Sequence, residues 1–291
     1  MKPPFSYYGG KMGMASQIVA LMPAHRVYIE PFFGSGAVFF AKPRSPHEIL
    51  NDVNDVLVTF WRVLRDDHEA LARECAMSPH SRVEYERARP LTVDEFGDRL
   101  PDLEVARRWW VRINQGFSKT ASPSTGWSIT TATNRSVSMT MLSRVGRFAP
   151  AVERLTGVAL ENCDAAGLVE RFGNEPDVTV YADPPYLGST RKGRSGSGKQ
   201  PDYMHDMMDE ESHRRLAAVL NDTPANVILS GYPSDLYGDL YRDWRRIDVA
   251  VTAHSSNSAR AGTREARTEC LWTNFDPPGQ TSFDFQPARG T

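Results

Sequence analysis

The residues with the clearest chemical potential are an acid, two prolines and a tyrosine that directly follow an apolar stretch. The stretch reads Val-Thr-Val-Tyr over 178–181, and Ala-Asp-Pro-Pro-Tyr follows over 182–186. Two prolines fix two φ angles and lack N–H groups, so the turn is stiff and its carbonyl oxygens are available to a ligand as acceptors. A carboxylate and such a carbonyl can accept both N–H bonds of an amino group, and a tyrosine ring can stack on a base. The predicted catalytic residues are therefore Asp183, Pro184, Pro185 and Tyr186.

A glycine turn is the second candidate. The sequence Glu30-Pro-Phe-Phe-Gly-Ser-Gly36 lies between a strand-like stretch and the apolar residues 37–40. Its glycines let the backbone approach a ligand closely. A dinucleotide-binding turn would have a third glycine where this chain has Phe39, so the turn favours a nucleoside cofactor without a pyrophosphate. Asp52, at the end of the next strand, is placed to accept hydrogen bonds from ribose hydroxyls.

A third motif near the amino terminus reads Tyr7-Tyr-Gly-Gly-Lys11. The two glycines permit a tight turn, and Lys11 brings a cation that can bind a carboxylate of the cofactor. Taken alone, this motif would be interpreted as a flexible tail, so its weight comes from the two motifs that follow it.

The elements that must position these motifs follow from the apolar pattern. Short apolar stretches predict strands at 27–30, 48–50, 157–161, 178–182, 226–230, 247–253 and 269–275. Helical spacing predicts helices over roughly 53–66, 102–115, 165–172 and 210–221, the last with Asp209 as its N-cap. Strands that alternate with helices predict an α/β fold, with a mostly parallel sheet covered by helices on both faces. Residues 116–147 lack periodicity and predict the loops and short strands of an insertion, whereas Trp109 and Trp110 are predicted to pack in the core.

The charge is distributed unevenly along the chain. The net charge is −2, yet the stretch from Val105 to Val152 contains seven basic residues and no acid. An acid-free basic stretch in an otherwise acidic chain predicts a surface that binds a polyanion. A basic, Gly/Ser-rich stretch at 188–200 is predicted to be a mobile loop that contacts phosphates.

Composition excludes several other classes. With 40% hydrophobic and 10% aromatic residues the chain is expected to fold, and it lacks both a membrane-spanning run and a signal-peptide core, so a cytoplasmic location is expected. Its three cysteines form no CxxC pair and are expected to be reduced. None of them follows a proline, which argues against the cysteine nucleophile of a cytosine-C5 methyltransferase. His205 and His213 flank several acids, but an ordinary helix start explains them better, and no metal site is predicted.

Together these motifs resemble those of the Dam-like (alpha-group) family of amino-directed DNA adenine methyltransferases. The order agrees with that group: Tyr-Gly-Gly-Lys at 8–11, Phe-Phe-Gly-Ser-Gly at 32–36, Asn-Asp-Val-Asn at 51–54, then the insertion, then Asp-Pro-Pro-Tyr at 183–186. The resemblance runs from Tyr7 to Phe275. Members often have Trp or Phe where Tyr7 stands, and the insertion has no close match to that of a well-known member.

The resemblance implies a Rossmann-like, S-adenosylmethionine-dependent methyltransferase fold with a seven-stranded sheet. Residues 1–75 and 152–291 would form the catalytic, cofactor-binding domain, and residues 76–151 an inserted target-recognition subdomain. The implied reaction moves a methyl group from S-adenosylmethionine to N6 of a flipped-out adenine in double-stranded DNA. Asp164 looks like the acid that meets the cofactor adenine. The full predicted cofactor-binding set is Tyr7, Gly10, Lys11, Glu30, Phe32, Gly34, Ser35, Gly36, Asp52, Asp164 and Asp183.

The predicted partner is double-stranded DNA. The predicted DNA-binding residues are Arg112, Lys119, Arg135, Arg144, Arg191, Lys192 and Arg260. A cognate restriction endonuclease is left open as a partner, and no membrane partner is expected. A monomer is expected, with a dimer left open. Two alternatives also stay open: methylation of cytosine N4, which usually has Ser in place of Asp183, and a DNA-binding relative that has lost catalysis.

Overall fold

The computed structural model describes residues 1–117, 119–122, 124–129, 136–186, 209–252 and 266–278 of the 291-residue chain. Within these ranges a seven-stranded sheet forms the centre of the fold. Its strands are β1 (Val27–Glu30), β2 (His47–Asn51), β3 (Ala159–Glu161), β4 (Val178–Ala182), β5 (Asn226–Gly231), β6 (Arg245–Thr252) and β7 (Ala266–Thr273), in the spatial order β3-β2-β1-β4-β5-β7-β6. The ladders from β3 to β5 are parallel, whereas β7 is antiparallel to both β5 and β6. The predicted α/β class and seven-stranded sheet are confirmed.

Helices connect the strands in the described part of the chain. They are α1 (Ala15–Leu21), α2 (Ala37–Ala41), α3 (Asp55–Asp66), α4 (His68–Met77), α5 (Arg82–Arg87), α6 (Asp102–Gln115), α7 (Val137–Val145), α8 (Phe148–Leu155), α9 (Ala165–Phe172), α10 (Glu210–Asp222) and α11 (Asp235–Leu240). The predicted helices at 53–66, 102–115, 165–172 and 210–221 correspond to α3, α6, α9 and α10. Asp209 caps α10 as expected, because its side chain accepts the Ser212 N–H.

The sheet separates two hydrophobic cores. Along β1, Tyr28 packs in the first core and Ile29 in the second, and β4 repeats the alternation with Tyr181 and Val180. This follows from strand geometry, since successive side chains point to opposite faces. The first core is covered mainly by α1, α3, α6 and α8, and the second by α9, α10 and α11. Both faces are thus buried, which explains the nearly continuous apolar character of β4 and β5.

The carboxyl ends of β1, β2 and β4 meet at one edge of the sheet. Ile29 pairs with Ile49 on one side and with Val180 on the other, and all three strands are parallel. Residues that directly follow these strands, including Asp52 and Asp183, therefore emerge at the same edge. In open α/β sheets this edge is where ligands bind.

The predicted insertion shares the first core with the rest of the chain. The Phe60 ring of α3 lies 4.7 Å from Trp109 of α6 and 6.0 Å from Phe148 of α8. Trp109 and Trp110 are fully buried, which confirms their predicted place in the core. Helices α6 and α8 are thus packed onto α3, and the boundaries of a recognition subdomain stay a prediction.

The sequence predicts only loops and short strands over residues 116–147, but the structure also has a helix there. Residues Val137–Val145 form α7, and Ser136 caps it by accepting the Met139 N–H. Met141 is buried in the first core, whereas Met139 is 57% exposed and Leu142 is 47% exposed. A helix of nine residues whose apolar side chains differ in burial gives only a weak apolar pattern in the sequence. Helices α1, α2, α4, α5, α8 and α11 were also missed, and each has ten residues or fewer.

No helix in the described part of the chain is long and apolar enough to cross a membrane.

Replacement of Phe60 by alanine tests the shared core. Phe60 is fully buried between α3, α6 and α8, so we expect the free energy of unfolding to fall by roughly 3–5 kcal/mol. Phe96, which is 83% exposed, serves as the matched control. Phe96→Ala should change the free energy of unfolding by less than about 0.5 kcal/mol. Chemical denaturation of the two variants and the unmodified chain measures the difference. Equal effects would contradict the packing.

Candidate active site

The glycine turn between β1 and α2 has a fixed shape. Gly34 and Gly36 have φ angles of +49° and +68°, which L side chains rarely adopt. A Cβ on Gly36 would lie 2.4 Å from the Phe33 ring, so only glycine fits there. Trp61 donates from Nε1 to the Gly34 carbonyl at 3.0 Å, which anchors the turn to α3. The turn is thus shaped by its own backbone and core contacts.

Asp52 holds the same turn from the loop after β2. Its Oδ2 accepts the Gly34 N–H at 2.9 Å, and its Oδ1 accepts the Asn54 N–H at 3.0 Å. A carboxylate oxygen has more than one acceptor position, so an accepted N–H does not by itself prevent a hydroxyl from donating to the same oxygen. Asp52 therefore has a structural role at the turn in addition to the predicted contact with ribose.

Asn51 joins the loops after β1 and β3, a role that the sequence analysis missed. It is buried, and its Nδ2 donates to the carbonyls of Pro31 at 2.9 Å and Cys163 at 3.0 Å. Asp164, which follows Cys163, caps α9 and pairs with Arg215 at 2.9 Å, and both side chains are more than half exposed. Asp164 thus lies at the carboxyl end of β3, with its carboxylate open to solvent.

The amino-terminal turn packs against the glycine turn. Gly10 donates its N–H to the Tyr7 carbonyl at 3.1 Å. A Cβ on Gly10 would lie 3.3 Å from Ser35 Oγ, and one on Gly34 would lie 3.4 Å from the Tyr7 ring. Burial and the neighbouring Asp52 raise the pKa of Tyr7, so its hydroxyl stays protonated. Two predicted motifs are thus in contact.

Lys11 connects the amino-terminal turn to the motif after β4. The ammonium is buried and lies 2.9 Å from Asp183 Oδ1, and it donates to the Gly9 carbonyl at 3.0 Å. It also lies 4.8 Å from the centre of the Tyr186 ring. The sequence predicts that Lys11 binds a cofactor carboxylate, whereas in the structure Lys11 pairs with Asp183, the acid of the predicted catalytic motif.

Asp183 and Tyr186 form the centre of this edge. Asp183 Oδ1 accepts a hydrogen bond from Ser230 Oγ at 2.6 Å, and the Tyr186 hydroxyl lies 3.4 Å from the same oxygen. The rings of Tyr186 and Tyr232 are in contact, with 4.5 Å between their centres and an angle of 56° between their planes. Ser230 and Tyr232 were missed, because β5 and the loop after it carry no recognisable motif.

Two further carboxylates lie close to this centre. Glu269 on β7 places Oε2 3.8 Å from Lys11 Nζ, and burial and Asp183 raise its pKa, whereas Lys11 lowers it. Glu30 is buried and accepts a hydrogen bond from the Tyr28 hydroxyl at 2.7 Å. Burial, with a smaller contribution from Asp183, raises the pKa of Glu30 to about 8, so it carries a proton at neutral pH. Burial thus limits the negative charge at the site.

The other predicted cofactor residues lie on the same turn. Ser35 is buried, and Phe32 is partly buried against the second core. Pro184 is buried, and Pro185 is partly exposed. The predicted cofactor-binding and catalytic residues are therefore found in the amino-terminal turn, at Glu30 as the last residue of β1, and in the loops that follow β1, β2, β3 and β4.

The predicted DNA-binding residues behave differently. Arg112 is fully buried, lies 3.9 Å from the centre of the Tyr85 ring and donates to the Ser122 carbonyl. This corrects the expectation that Arg112 contacts DNA, because its guanidinium faces the interior. Arg144 donates to Asn114 and to Ser6 and is partly buried.

Lys119 is partly buried, with a φ of +57°, and its Nζ lies 3.4 Å from the Gly116 carbonyl. Burial and the neighbouring Arg144 lower the pKa of Lys119 to about 8. The remaining predicted DNA-binding residues, Arg135, Arg191, Lys192 and Arg260, lie outside the described residues, as do His205 and the stretch 188–200. In the described part of the chain, no three His, Cys, Asp or Glu side chains are grouped to hold a metal ion.

Acids that lie outside the acid-free stretch pair with two of its arginines. Arg107 contacts Glu84 at 2.5 Å and Glu104 at 2.6 Å, and Arg108 contacts Glu104 at 2.7 Å. These ion pairs neutralise charge that the linear sequence leaves unbalanced. The charge pattern alone therefore overstates the positive surface of this segment.

Comparison with known proteins assigns this chain to a family. The family model of the D12 class N6 adenine-specific DNA methyltransferases matches residues 7–254, which is most of the chain. The Type II methyltransferase M1.LlaDCHI of Lactococcus lactis subsp. cremoris is 23% identical over 284 residues, covering 94% of this chain and 96% of that protein.

Two other relatives are similar over less of their own length. The DNA N-6-adenine-methyltransferase of Escherichia phage P1 is 28% identical over 288 residues, covering 92% of this chain and 34% of that protein. The Type II methyltransferase M.MjaIII of Methanocaldococcus jannaschii is 34% identical over 83 residues, covering 25% of this chain and 29% of that protein.

Replacement of Gly36 by alanine tests the fixed shape of the turn. Gly157 has a similar φ of +81°, and a methyl group added there would meet nothing within 4 Å, so Gly157→Ala measures the backbone strain alone. We expect Gly36→Ala to lower the free energy of unfolding by about 1 kcal/mol or more beyond Gly157→Ala, because its methyl group also collides with the Phe33 ring. Urea denaturation measures both; equal losses would show that the turn has room for a side chain.

The raised pKa of Glu30 predicts how stability depends on pH. The ordinary pKa of 4.5 applies to the unfolded chain and about 8 to the folded one, so the folded state binds the additional proton between these values. The contribution of protonated Glu30 to the free energy of unfolding is therefore complete below pH 4.5 and is lost as the pH rises towards 8. Glu30→Gln removes this titration, so the free energy of unfolding should fall less steeply between pH 5 and 8 than in the unmodified chain. Parallel curves would contradict the assignment.

Proposed function

Because this chain belongs to the D12 class of N6 adenine-specific DNA methyltransferases, we propose that S-adenosylmethionine is its methyl donor and binds beside the glycine turn. The chain is thus an enzyme whose substrate is DNA adenine, and the family decides against the cytosine-N4 alternative. The observation that supports the proposal best is the contact between motifs: Lys11 pairs with Asp183, while the turn that carries Lys11 packs on Gly34 and Ser35.

The residues at this edge fit such a donor. The positive φ angles at positions 34 and 36 favour glycine, and because Gly34 and Gly36 have no side chains a nucleoside can approach the backbone there. Asp52 can accept hydrogen bonds from ribose hydroxyls. Asp164, with its exposed carboxylate, can accept a hydrogen bond from the exocyclic amino group of the donor's adenine. When bound, S-adenosylmethionine supplies an electrophilic methyl group. Tyr7, Gly10, Glu30, Phe32 and Ser35 complete the proposed cofactor-binding set.

The target amino group is held by the motif after β4. Asp183 and the Pro184 carbonyl accept the two N–H bonds of adenine N6, which directs the nitrogen lone pair away from them. As N6 forms its new bond to the methyl carbon, the bond between that carbon and the donor sulfur would break, and its electron pair would stay on sulfur. N6 gains positive charge in this step, and the Asp183 carboxylate stabilises that charge. The departing N6 proton then moves to Asp183 or to water.

Target adenine leaves the duplex before it reacts, since N6 is paired inside the helix. Extrusion costs a few kcal/mol, and stacking on an aromatic ring returns roughly 1–3 kcal/mol. Tyr186 provides one ring for this purpose, and Tyr232, whose ring lies beside it, narrows the space in which a flat base fits. Pro185 keeps the turn rigid while the base enters.

Recognition of the DNA sequence is assigned to the segment 76–151, which separates β2 from β3 in the chain. Lys119, Arg135, Arg144, Arg191, Lys192 and Arg260 remain the proposed phosphate contacts, whereas Arg112 is removed from that set because it is buried. Two relatives are named Type II methyltransferases, which supports a role beside a restriction endonuclease. We propose that the enzyme acts as a monomer in the cytoplasm.

Methyl transfer by the Asp183→Ala variant tests the assignment of the catalytic motif. The full chain is incubated with labelled S-adenosylmethionine and unmethylated duplex DNA, and the N6-methyladenine formed is measured and located by sequencing. We expect Asp183→Ala to lower the rate at least about 100-fold, because it removes an acceptor of the target amino group and the charge that stabilises it. Glu269 still faces Lys11 in this variant, so the protein should remain folded.

The matched control is Asp177→Ala, at the opposite end of β4. Asp177 forms an exposed pair with Arg26, and such pairs contribute little to stability. This variant should keep the unmodified rate. Full turnover by Asp183→Ala would refute the assigned site.

A further inference from the structure

We propose that Ser230 is a positioning residue: its hydroxyl occupies one oxygen of Asp183, Oδ1, and thereby reserves the other, Oδ2, for the amino group of the target adenine. The inference rests on the proposed function and adds to it a residue on β5, a strand outside the recognised motifs. It also specifies which atom of the catalytic carboxylate meets the substrate.

The contacts of Asp183 are unequal between its two oxygens. In the described residues, each donor recorded at this carboxylate reaches Oδ1: Ser230 Oγ at 2.6 Å, Lys11 Nζ at 2.9 Å and the Tyr186 hydroxyl at 3.4 Å. A carboxylate oxygen has about two lone-pair positions, so Ser230 and Lys11 already fill those of Oδ1. An incoming N–H group can therefore form a good hydrogen bond only with Oδ2.

The hydrogen bonds around Ser230 run in one direction. A carboxylate can only accept, so the Ser230 hydroxyl must donate to Asp183. The Tyr181 hydroxyl lies 3.2 Å from Ser230 Oγ and must then donate to it. Burial raises the pKa of Tyr181, which keeps this donor protonated. The chain from Tyr181 through Ser230 to Asp183 thus has a single polarity.

The sheet places Ser230 for this role. Strands β4 and β5 are parallel neighbours, and Ala182 pairs with Leu229. The next residue on each chain segment is Asp183 after Ala182 and Ser230 after Leu229, so these two residues lie side by side. Ser230 is fully buried, whereas the Asp183 side chain keeps 19% of its surface exposed. Ser230 therefore holds the carboxylate from the protein side and sets its rotation, while the exposed side stays available to the base.

The test measures the single-turnover rate of methyl transfer by the full chain, with saturating duplex DNA and S-adenosylmethionine. Ser230→Ala should lower this rate roughly 10- to 100-fold, because a hydrogen bond to a charged group is lost and the carboxylate can rotate. KM for DNA and for S-adenosylmethionine should change less than about 2-fold, since a positioning residue acts after binding. Tyr181→Phe should lower the rate less than Ser230→Ala, because Ser230 still donates to Asp183.

The matched control is Thr179→Val. Thr179 is fully buried on β4, and its hydroxyl has no hydrogen-bond partner among the described residues, so the variant removes a buried hydroxyl of the same sheet without touching Asp183. It should keep the unmodified rate. An unchanged rate for Ser230→Ala, or an equal loss for Thr179→Val, would overturn the proposal.

Structure determination covers the case in which Ser230→Ala does not fold. A complex of the unmodified chain with duplex DNA and a non-reactive analogue of S-adenosylmethionine should have adenine N6 hydrogen-bonded to Oδ2 of Asp183. Contact with Oδ1 instead would refute the inference even if the enzyme is active. Absence of any methylation by the unmodified chain would refute the proposed function itself, so the two failures are distinguishable.

Discussion

The ion pair between Lys11 and Asp183 is the interaction on which the site depends. It joins the amino-terminal turn to the loop after β4, and Glu269 from β7 faces the same ammonium. Removing the cation would leave two neighbouring carboxylates without compensation in a partly desolvated place, which is far more costly than losing a surface pair. Three distant parts of the chain are therefore held together by one buried charge, and the turn that carries it is pressed onto the glycine turn.

Backbone geometry and hydrogen bonds also shape the site. The two glycines with positive φ, the Asp52 carboxylate that accepts the Gly34 N–H and the Asn51 amide that joins two loops shape the edge of the sheet through contacts within the chain. Groups that are already oriented need no reorganisation when a substrate arrives, and this is the main way in which enzymes stabilise developing charge. This edge of the sheet thus derives its order from the sheet and from hydrogen bonds within the chain.

The basic segment shows how a fold can change the meaning of a charge pattern. Its acid-free run begins directly after Glu104, yet Glu104 and Glu84 pair with Arg107 and Arg108, and Arg112 is buried beside Tyr85. In these arginines, ion pairs and stacking stabilise the packing of α5 and α6. A count of charges along the chain cannot distinguish this use from a DNA-binding surface, because the partners come from outside the counted window.

The sequence by itself determined the α/β class, the seven strands, helices α3, α6, α9 and α10, and the three motifs. These features depend on local apolar periodicity and on residue types at short spacing, which are visible in one dimension. Tertiary structure alone decided that Lys11 meets Asp183, that Ser230, Tyr232 and Glu269 join the site, and that Arg112 is interior. The contacts at the site join residues far apart in the chain, and the order of the strands in the sheet brings them together. The burial of Arg112 depends instead on the packing of α6 against Tyr85 of α5. Of the helices with ten residues or fewer in the described part of the chain, only α9 was predicted, because fewer than about three turns usually give too weak a period to recognise.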